Sequence, residues 1–315
     1  MQKRNNNTFS ETRKTDSGLK KFWNDYAGTI FLTFALVSVF LLVFPLFVRD
    51  NNLPSDIAII LSSHFDDGAL SMGGFMAARK NPVIVITFFA GKPANSIRGG
   101  WDTLSGFRNS DEAIATRTEE NSKALKQLGT YPINLNYPDF QYRYDRTPVA
   151  EKQILQSIKK DIGTILDNFS GSKNVSIYGP AEFGPNITHS DHKLLHDAFS
   201  AIAREKIDRK NLRFFYYEDF PYVREYRASI TTPLIKFLKQ TNHDLTLREV
   251  FIPIDPNALG KKVKSIETYA SQEKAFGTFG ENIAKEAGTF TETRCQGNTA
   301  VKNPCEAVYE ILPAK

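Results

Sequence analysis

The chain has 315 residues, with 40 Lys and Arg against 35 Asp and Glu, 41% hydrophobic residues and two cysteines. At about 100–200 residues per domain, this length suits one large domain or two small ones, and it can bury a core without disulfides or a structural metal. Two cysteines exclude a disulfide-rich mini-domain and any four-cysteine zinc or iron–sulfur site.

The basic excess is unevenly placed. Residues 1–48 hold six basic residues (Lys3, Arg4, Arg13, Lys14, Lys20, Lys21) and three acidic ones (Glu11, Asp16, Asp25), whereas residues 49–315 hold 34 and 32. The body is therefore close to neutral and carries no basic stripe, which argues against nucleic acid as a partner.

Residues 1–25 read as a basic, disordered cytoplasmic arm rich in Asn, Lys, Thr and Ser. From Tyr26 to Val48 no residue is charged, a run of 23 residues. As a helix it would extend about 35 Å, enough to cross a hydrocarbon core of roughly 30 Å. A buried soluble helix would show a polar stripe, and this run has none. A signal peptide would have a shorter apolar region closed by small residues, whereas this run closes on Leu46-Phe47-Val48-Arg49. We therefore expect an uncleaved transmembrane anchor over 26–48. Six basic residues precede it and only Arg49 follows before Arg79. The positive-inside rule then predicts a single-pass membrane protein with a cytoplasmic N-terminus and a domain, 49–315, outside the cytoplasm.

In that domain, Asp56–Ser62 and 82–90 (PVIVITFFA) are continuous apolar runs of the kind expected for strands buried on both faces. Helical spacing over 110–128, a short strand at 133–135, a helix over 148–169 and a strand at 175–178 follow. A helix over 189–207, strands at 212–217 and 249–254, and a helix over 256–272 complete the pattern. This alternation predicts an α/β fold, a Rossmann-like mainly parallel sheet with helices on both faces, preceded by one transmembrane helix. Ligands in such sheets sit at the carboxyl ends of the strands.

The chain has five histidines, and two segments concentrate them with carboxylates. His64 follows the first strand in Ser62-Ser63-His64-Phe65-Asp66-Asp67-Gly68. His189 and His192 lie in Thr188-His189-Ser190-Asp191-His192, after the strand at 175–178. A strand-end His-x-Asp-Asp can give one imidazole and one carboxylate to a metal and leave the other carboxylate free. The second segment adds another ligand and one more titratable ring. Two nitrogens, one oxygen and an open position describe a catalytic zinc site. Taken singly, an Asp-Asp pair is a common turn or cap, and a lone histidine is more often a packing residue. The coincidence of both motifs at strand ends favours the functional reading. His196 reads as a packing residue behind His192, and His243 as a loop residue.

HFDDGALSMGG followed by HSDH resembles the zinc-dependent N-acetylglucosaminyl deacetylase family, whose members include GlcNAc-phosphatidylinositol and mycothiol-pathway enzymes. The resemblance covers most of residues 56–275. RTEENSKALKQLG (117–129), YPDFQYR (137–143), YYEDFPYV (216–223) and YASQ (269–272) support it. The chain departs at Phe65, where the family has proline, and at Gly68, where it has glutamate. Residues His64 to Gly74 come nearer to a branch reading His-x-Asp-Asp-Ala-x-Leu-Ser-x-Gly-Gly.

The resemblance implies His64, Asp67 and His192 as ligands of zinc or another divalent metal, and Asp66 as general base. It implies that His189 stabilises or protonates the tetrahedral intermediate as an imidazolium, with Asp191 as its orienting neighbour. Arg117 and Asp139 match positions implied to contact the sugar, although a surface helix charge and a turn residue would read the same way. The implied activity is hydrolytic removal of the N-acetyl group from an N-acetylglucosamine-type sugar or glycan. The rival reading is a membrane-anchored glycan-binding module without catalysis. A dinucleotide-binding protein is disfavoured, since no G-x-G-x-x-G follows the first strand. The aromatic run in 214–222 can stack on a sugar or simply fill the core. Cys295 and Cys305 sit in what reads as a polar tail and can pair outside the cytoplasm or remain thiols. The sequon Asn186-Ile187-Thr188 abuts His189, where a glycan would obstruct the site.

Overall fold

In the computed structural model of the chain, residues 56–169, 174–181, 189–224, 245–296 and 304–313 are described. The basic arm, the expected anchor over 26–48, the sequon at 186–188 and His243 lie outside them. Among the described residues, no helix is long and apolar enough to cross a membrane.

The elements run β1 (Asp56–Ser62), α1 (Asp67–Ala78), β2 (Val83–Thr87), α2 (Gly100–Ser105), α3 (Ser110–Gln127), β3 (Tyr131–Asn134), α4 (Pro148–Asp167) and β4 (Asn174–Pro180). They continue through α5 (Ser190–Lys206), β5 (Leu212–Tyr217), β6 (Thr246–Pro253), α6 (Pro256–Ile266), α7 (Ala270–Gly277), α8 (Ile283–Thr293) and β7 (Cys305–Leu312). Helix starts follow local chemistry. The side chains of Asn109, Thr147 and Asp255 accept hydrogen bonds from first-turn amides, and Pro148 and Pro256 occupy first-turn positions.

The seven strands form one sheet in the order β3-β2-β1-β4-β5-β7-β6. The first five are mutually parallel, while β7 runs antiparallel to both β5 and β6. The parallel portion agrees with the sequence expectation. Alternate residues of β1 serve opposite faces: Ile57, Ile59 and Leu61 join a core with α4 and α5, and Ala58 and Ile60 join one with α1 and α3. Strand order reverses between β1 and β4, the place where this class of sheet opens a crevice.

Two expectations are corrected, and one left open is decided. The single helix over 256–272 is two helices, separated at 267–269. The expected polar tail contains helix α8 and the buried strand β7, which is inserted between β5 and β6. Its alternation CEAVYEIL hides acidic residues among the apolar ones, so it reads as polar until Glu306 and Glu310 find their partners. Cys295 and Cys305 are joined as a disulfide.

The Ser71-Met72-Gly73-Gly74 stretch of α1 is shaped by this C-terminal part. Met72 leaves helical backbone geometry, and the carboxylate of Glu306 accepts the amides of Gly74 and Phe75 at 2.9 and 2.8 Å. Fully buried Lys262 neutralises Glu306 at 2.8 Å and donates to Thr291 at 2.9 Å. A Cβ at Gly73 would lie 2.8 Å from Lys262 Cγ, and one at Gly74 2.9 Å from Glu306 Oε1. Both glycines are required by the close approach of a buried ion pair.

Candidate metal centre

The carboxyl ends of four parallel strands supply the site. His64, Asp66 and Asp67 follow β1, Asp139 follows β3, His189 to His192 follow β4, and Asp219 follows β5. The turn after β1 is tied down by Ser62, whose hydroxyl donates to the His64 carbonyl at 2.6 Å and accepts from the Gly68 amide at 2.9 Å. Tyr269 supports the same turn, its hydroxyl lying 3.0 Å from the Phe65 carbonyl and 2.9 Å from Asn121 Oδ1.

Three donor atoms converge. His64 Nδ1 lies 3.2 Å from both Asp67 Oδ2 and His192 Nε2, and His192 Nε2 lies 3.4 Å from Asp67 Oδ2. Zinc binds nitrogen and oxygen at about 2.0–2.1 Å, so the edges of its tetrahedron measure roughly 3.3–3.4 Å. The observed triangle fits one face of that tetrahedron. The outer nitrogens are engaged, as metal-binding histidines require. His64 Nε2 donates to Asp191 Oδ2 at 2.9 Å, and His192 Nδ1 donates to Asp219 Oδ2. Charge agrees with geometry: among the described residues, buried Asp66, Asp67, Asp139, Asp191 and Asp219 face two buried guanidiniums, Arg117 and Arg143. Such an excess of carboxylate suits a divalent cation.

The titrations express the same field. Burial opposes protonation of His64, but its bonds to Asp191 and Asp67 and the charge of Asp139 prevail and raise its pKa well above the ordinary value. Burial would raise Asp67, yet His192 and His64 outweigh it and hold the carboxyl below its usual range. Asp66 behaves oppositely. Burial and the adjacent Asp67 raise its pKa, with Arg117 only partly offsetting them. Asp219 is pushed up to about 6 by burial, against the pull of His192.

Asp66 stands at the start of α1 but caps no amide. Arg117 Nη2 donates to Asp66 Oδ1 at 3.4 Å, and Arg117 Nη1 lies 3.7 Å from Asp139 Oδ2. Arg117 is 4% exposed, which rules out the surface-charge reading. Its guanidinium lies 5.3 Å from the centroid of the Phe65 ring, so the departure from proline at that position supplies a cation–π platform.

Two expectations change here. Asp191 does not orient His189. Its Oδ2 accepts from His64 Nε2 and from the Phe140 amide at 2.9 Å, and Arg143 holds its Oδ1. The reason is topological: Asp191 begins the first turn of α5 and faces the turn after β1. His189 precedes that helix, its ring centroid 4.8 Å from that of His64 and 5.0 Å from that of His192. Burial and those two imidazoles hold its pKa down to about 4, a shift that works against the expected imidazolium.

Two residues escaped the sequence reading although both lie in segments singled out there. Asp219, in YYEDFPY, braces His192, and Arg143, in YPDFQYR, braces Asp191. For Asp219 the available signal was its position two residues after β5. The aromatics of the first segment serve the core: Tyr216, Tyr217 and Phe220 are fully buried. Only Tyr222 reaches the site, its ring 4.7 Å from His192. His196 is a packing residue as expected, stacked on Tyr216 and bonded to the Pro180 carbonyl at 2.9 Å.

A mostly parallel sheet carries, at its strand ends, a triangle of two histidines and one aspartate with a second aspartate next to it in the chain, an arrangement able to hold a divalent metal. Residues 59–203 match the family described as PIG-L: GlcNAc-PI de-N-acetylase. This stretch, a little under half of the chain, is similar to a domain of that family. No curated protein matches the chain in sequence. Among solved structures, the deacetylase of the teicoplanin biosynthesis pathway is similar at 21% identity and a TM-score of 0.63, covering 82% of this chain and 99% of its own. The A40926 pseudoaglycone deacetylase gives the same identity and TM-score, covering 82% and 98%. The 4-carboxy-2-hydroxymuconate hydratase GalB of Pseudomonas putida KT2440 is also similar, at 17% identity and a TM-score of 0.51, over 82% and 98%. One fold therefore carries more than one reaction, and function has to be argued from the site.

Proposed function

We propose that this protein is a zinc-dependent hydrolase that removes the N-acetyl group from an N-acetylglucosamine-type sugar or glycan. The observation that carries the reading is the donor triangle of His64, Asp67 and His192 with unligated Asp66 beside it. A binding module has no use for a buried carboxylate of raised pKa placed next to a metal site. Zinc, when bound, polarises the acetamide carbonyl and acidifies water.

The chain's own residues do the rest. Asp66 takes a proton from the attacking water, its raised pKa bringing it nearer the range of an efficient base. Arg117, stacked on Phe65, fixes the orientation of that carboxylate, and with Asp139 it presents hydrogen-bonding groups to the sugar. His189 donates its N–H to the developing oxyanion, and the proton held by Asp66 passes to the leaving nitrogen as the C–N bond breaks. Water adds to the acyl carbon, the C–N bond breaks, and acetate and a free amino sugar depart.

The uncharged run 26–48 would anchor this domain with the N-terminus in the cytoplasm and residues 49–315 outside. The Cys295–Cys305 pairing supports the same side, since disulfides persist in oxidising compartments. Mass spectrometry of N-acetylated saccharides incubated with the zinc-loaded full chain tests the activity, with Asp66→Asn as control. Loss of an acetyl mass with the parent but not the variant is expected. No loss from any candidate, or equal loss with Asp66→Asn, refutes it. Protease accessibility of the domain in intact cells tests the topology, and protection from protease contradicts it.

A further inference from the structure

The ligand His192 is braced by Asp219, and Asp219 is itself held by neighbours on both sides in the chain. Next to it, Glu218 is 6% exposed and gripped by Arg294, whose Nε and Nη2 donate to the two carboxylate oxygens at 2.6 Å each. Tyr309 donates to Glu218 Oε1 at 2.8 Å. Arg294 also donates to Glu249 at 2.9 Å and lies over the Phe251 ring. On the other side, the Phe220 amide donates to Ser71 Oγ at 3.0 Å. The residues on either side of Asp219 are thus held, Glu218 by a bidentate pair from the far end of the sequence and Phe220 by a backbone bond to Ser71. Bidentate pairing fixes direction as well as distance.

The clamp is in turn fixed covalently. Arg294 caps the carboxyl end of α8 and is followed by Cys295, whose disulfide reaches Cys305 at the start of β7. The next residue, Glu306, holds the kinked middle of α1 through Gly74 and Phe75. One disulfide therefore joins the chain segments that bear two buried charge networks. One runs Arg294–Glu218 to the brace of His192; the other runs Glu306–Lys262 to the helix that starts at Asp66 and Asp67.

We propose that Arg294 and Glu218 are positioning residues for His192, acting through Asp219, and that the Cys295–Cys305 disulfide sets this clamp, so that full metal affinity requires the oxidised protein. This rests on the reading of His64, Asp67 and His192 as metal ligands. Neither Arg294 nor Glu218 touches the ligand triangle, and the disulfide serves the site through them rather than through stability alone.

The test is zinc affinity, measured on the chelator-stripped full chain by competition with a chromophoric chelator. Each protein is also checked for the parent circular-dichroism spectrum and the Tm of its zinc-free form. Arg294→Met and Glu218→Gln are expected to weaken zinc binding about 10–100-fold, the range for partners of metal ligands, and Arg294→Lys less. The double variant Cys295→Ser/Cys305→Ser, used in place of a thiol reductant that would itself bind zinc, is expected to weaken it about tenfold. Adding Arg294→Met to Asp219→Asn should cost little beyond Asp219→Asn alone, because both act on one path.

A clamp that is only structural would lower the zinc-free Tm of the variants and leave zinc affinity within about twofold, or would give additive losses with Asp219→Asn. Either result overturns the proposal. If Arg294→Met fails to fold, Glu218→Gln and Arg294→Lys decide the same question. Absence of zinc binding by the parent overturns both this proposal and the metal-centre reading. Normal zinc binding and clamp effects without acetate release refute the proposed function alone.

Discussion

The two halves of the sheet build the site in different ways. The parallel half, β3 to β5, carries His64, Asp66 and Asp67 directly after β1, and His192 in the first turn of the helix that follows β4. The antiparallel end, β6 and β7 with α6 to α8, delivers no donor atom. It reaches the site through side chains distant in sequence: Glu306 to Gly74 and Phe75, Lys262 to Glu306, Arg294 to Glu218, and Tyr269 to Phe65. Chemistry placed by local backbone geometry needs a second, long-range set of contacts to keep it rigid. Here those contacts are charged and buried, which makes them costly to disturb one at a time.

Substitutions can break this contrast, beginning with the largest effect. Asp66→Asn in the parallel half should lower deacetylation by about 100–10,000-fold, the range for loss of a general base, while zinc content by mass spectrometry stays at the parent level. His64→Ala or His192→Ala should lose both.

In the antiparallel end, Glu306→Gln should act on folding instead. It leaves Lys262 as an uncompensated buried charge, a loss of about 3–5 kcal/mol in denaturant unfolding. An unchanged unfolding midpoint would show that the pair is not the anchor of α1.

A smaller effect lies where the halves meet. Gly73→Ala should cost about 1–3 kcal/mol, because the new methyl meets Lys262 Cγ and must displace it. Combining it with Lys262→Met, whose uncharged side chain can move aside, should cost less than the sum of the two, as expected for residues in contact. The smallest effect belongs to exposed groups of the antiparallel end. Arg213→Ala removes one of two guanidiniums on Glu310 and should change stability by less than about 1 kcal/mol. A larger change would mean that the outer charges, like the inner ones, are part of the scaffold.

The parallel half was largely legible. The runs 57–61 of β1 and 83–86 of β2 are continuously apolar because both faces are covered, and the strands alternating with helices 110–128, 148–169 and 189–207 announced their topology. His-x-Asp-Asp and His-x-Asp-His stood out for the same reason: a strand end confines ligands to a few consecutive residues. The antiparallel end was not legible in this way. Strand β7 was hidden by Glu306 and Glu310, and it reads as buried only once Lys262, Arg213 and Arg248 are seen to neutralise them. Asp219 and Arg143 lay in segments already noticed, but no periodicity distinguishes a carboxylate that braces a ligand from one that ends a strand.

The sequence by itself determined the parallel part of the sheet and the segments in which histidines and carboxylates are concentrated, because these follow from hydrophobic patterning and residue chemistry within short stretches. The tertiary structure decided which histidine each aspartate serves. Asp191 is two residues from His189 in the chain yet holds His64, and Asp219 reaches His192 from the end of the neighbouring strand. Hydrogen bonds to a ring nitrogen are settled by distances of about 3 Å and by direction, and in a folded chain those are fixed by how helices and strands are stacked.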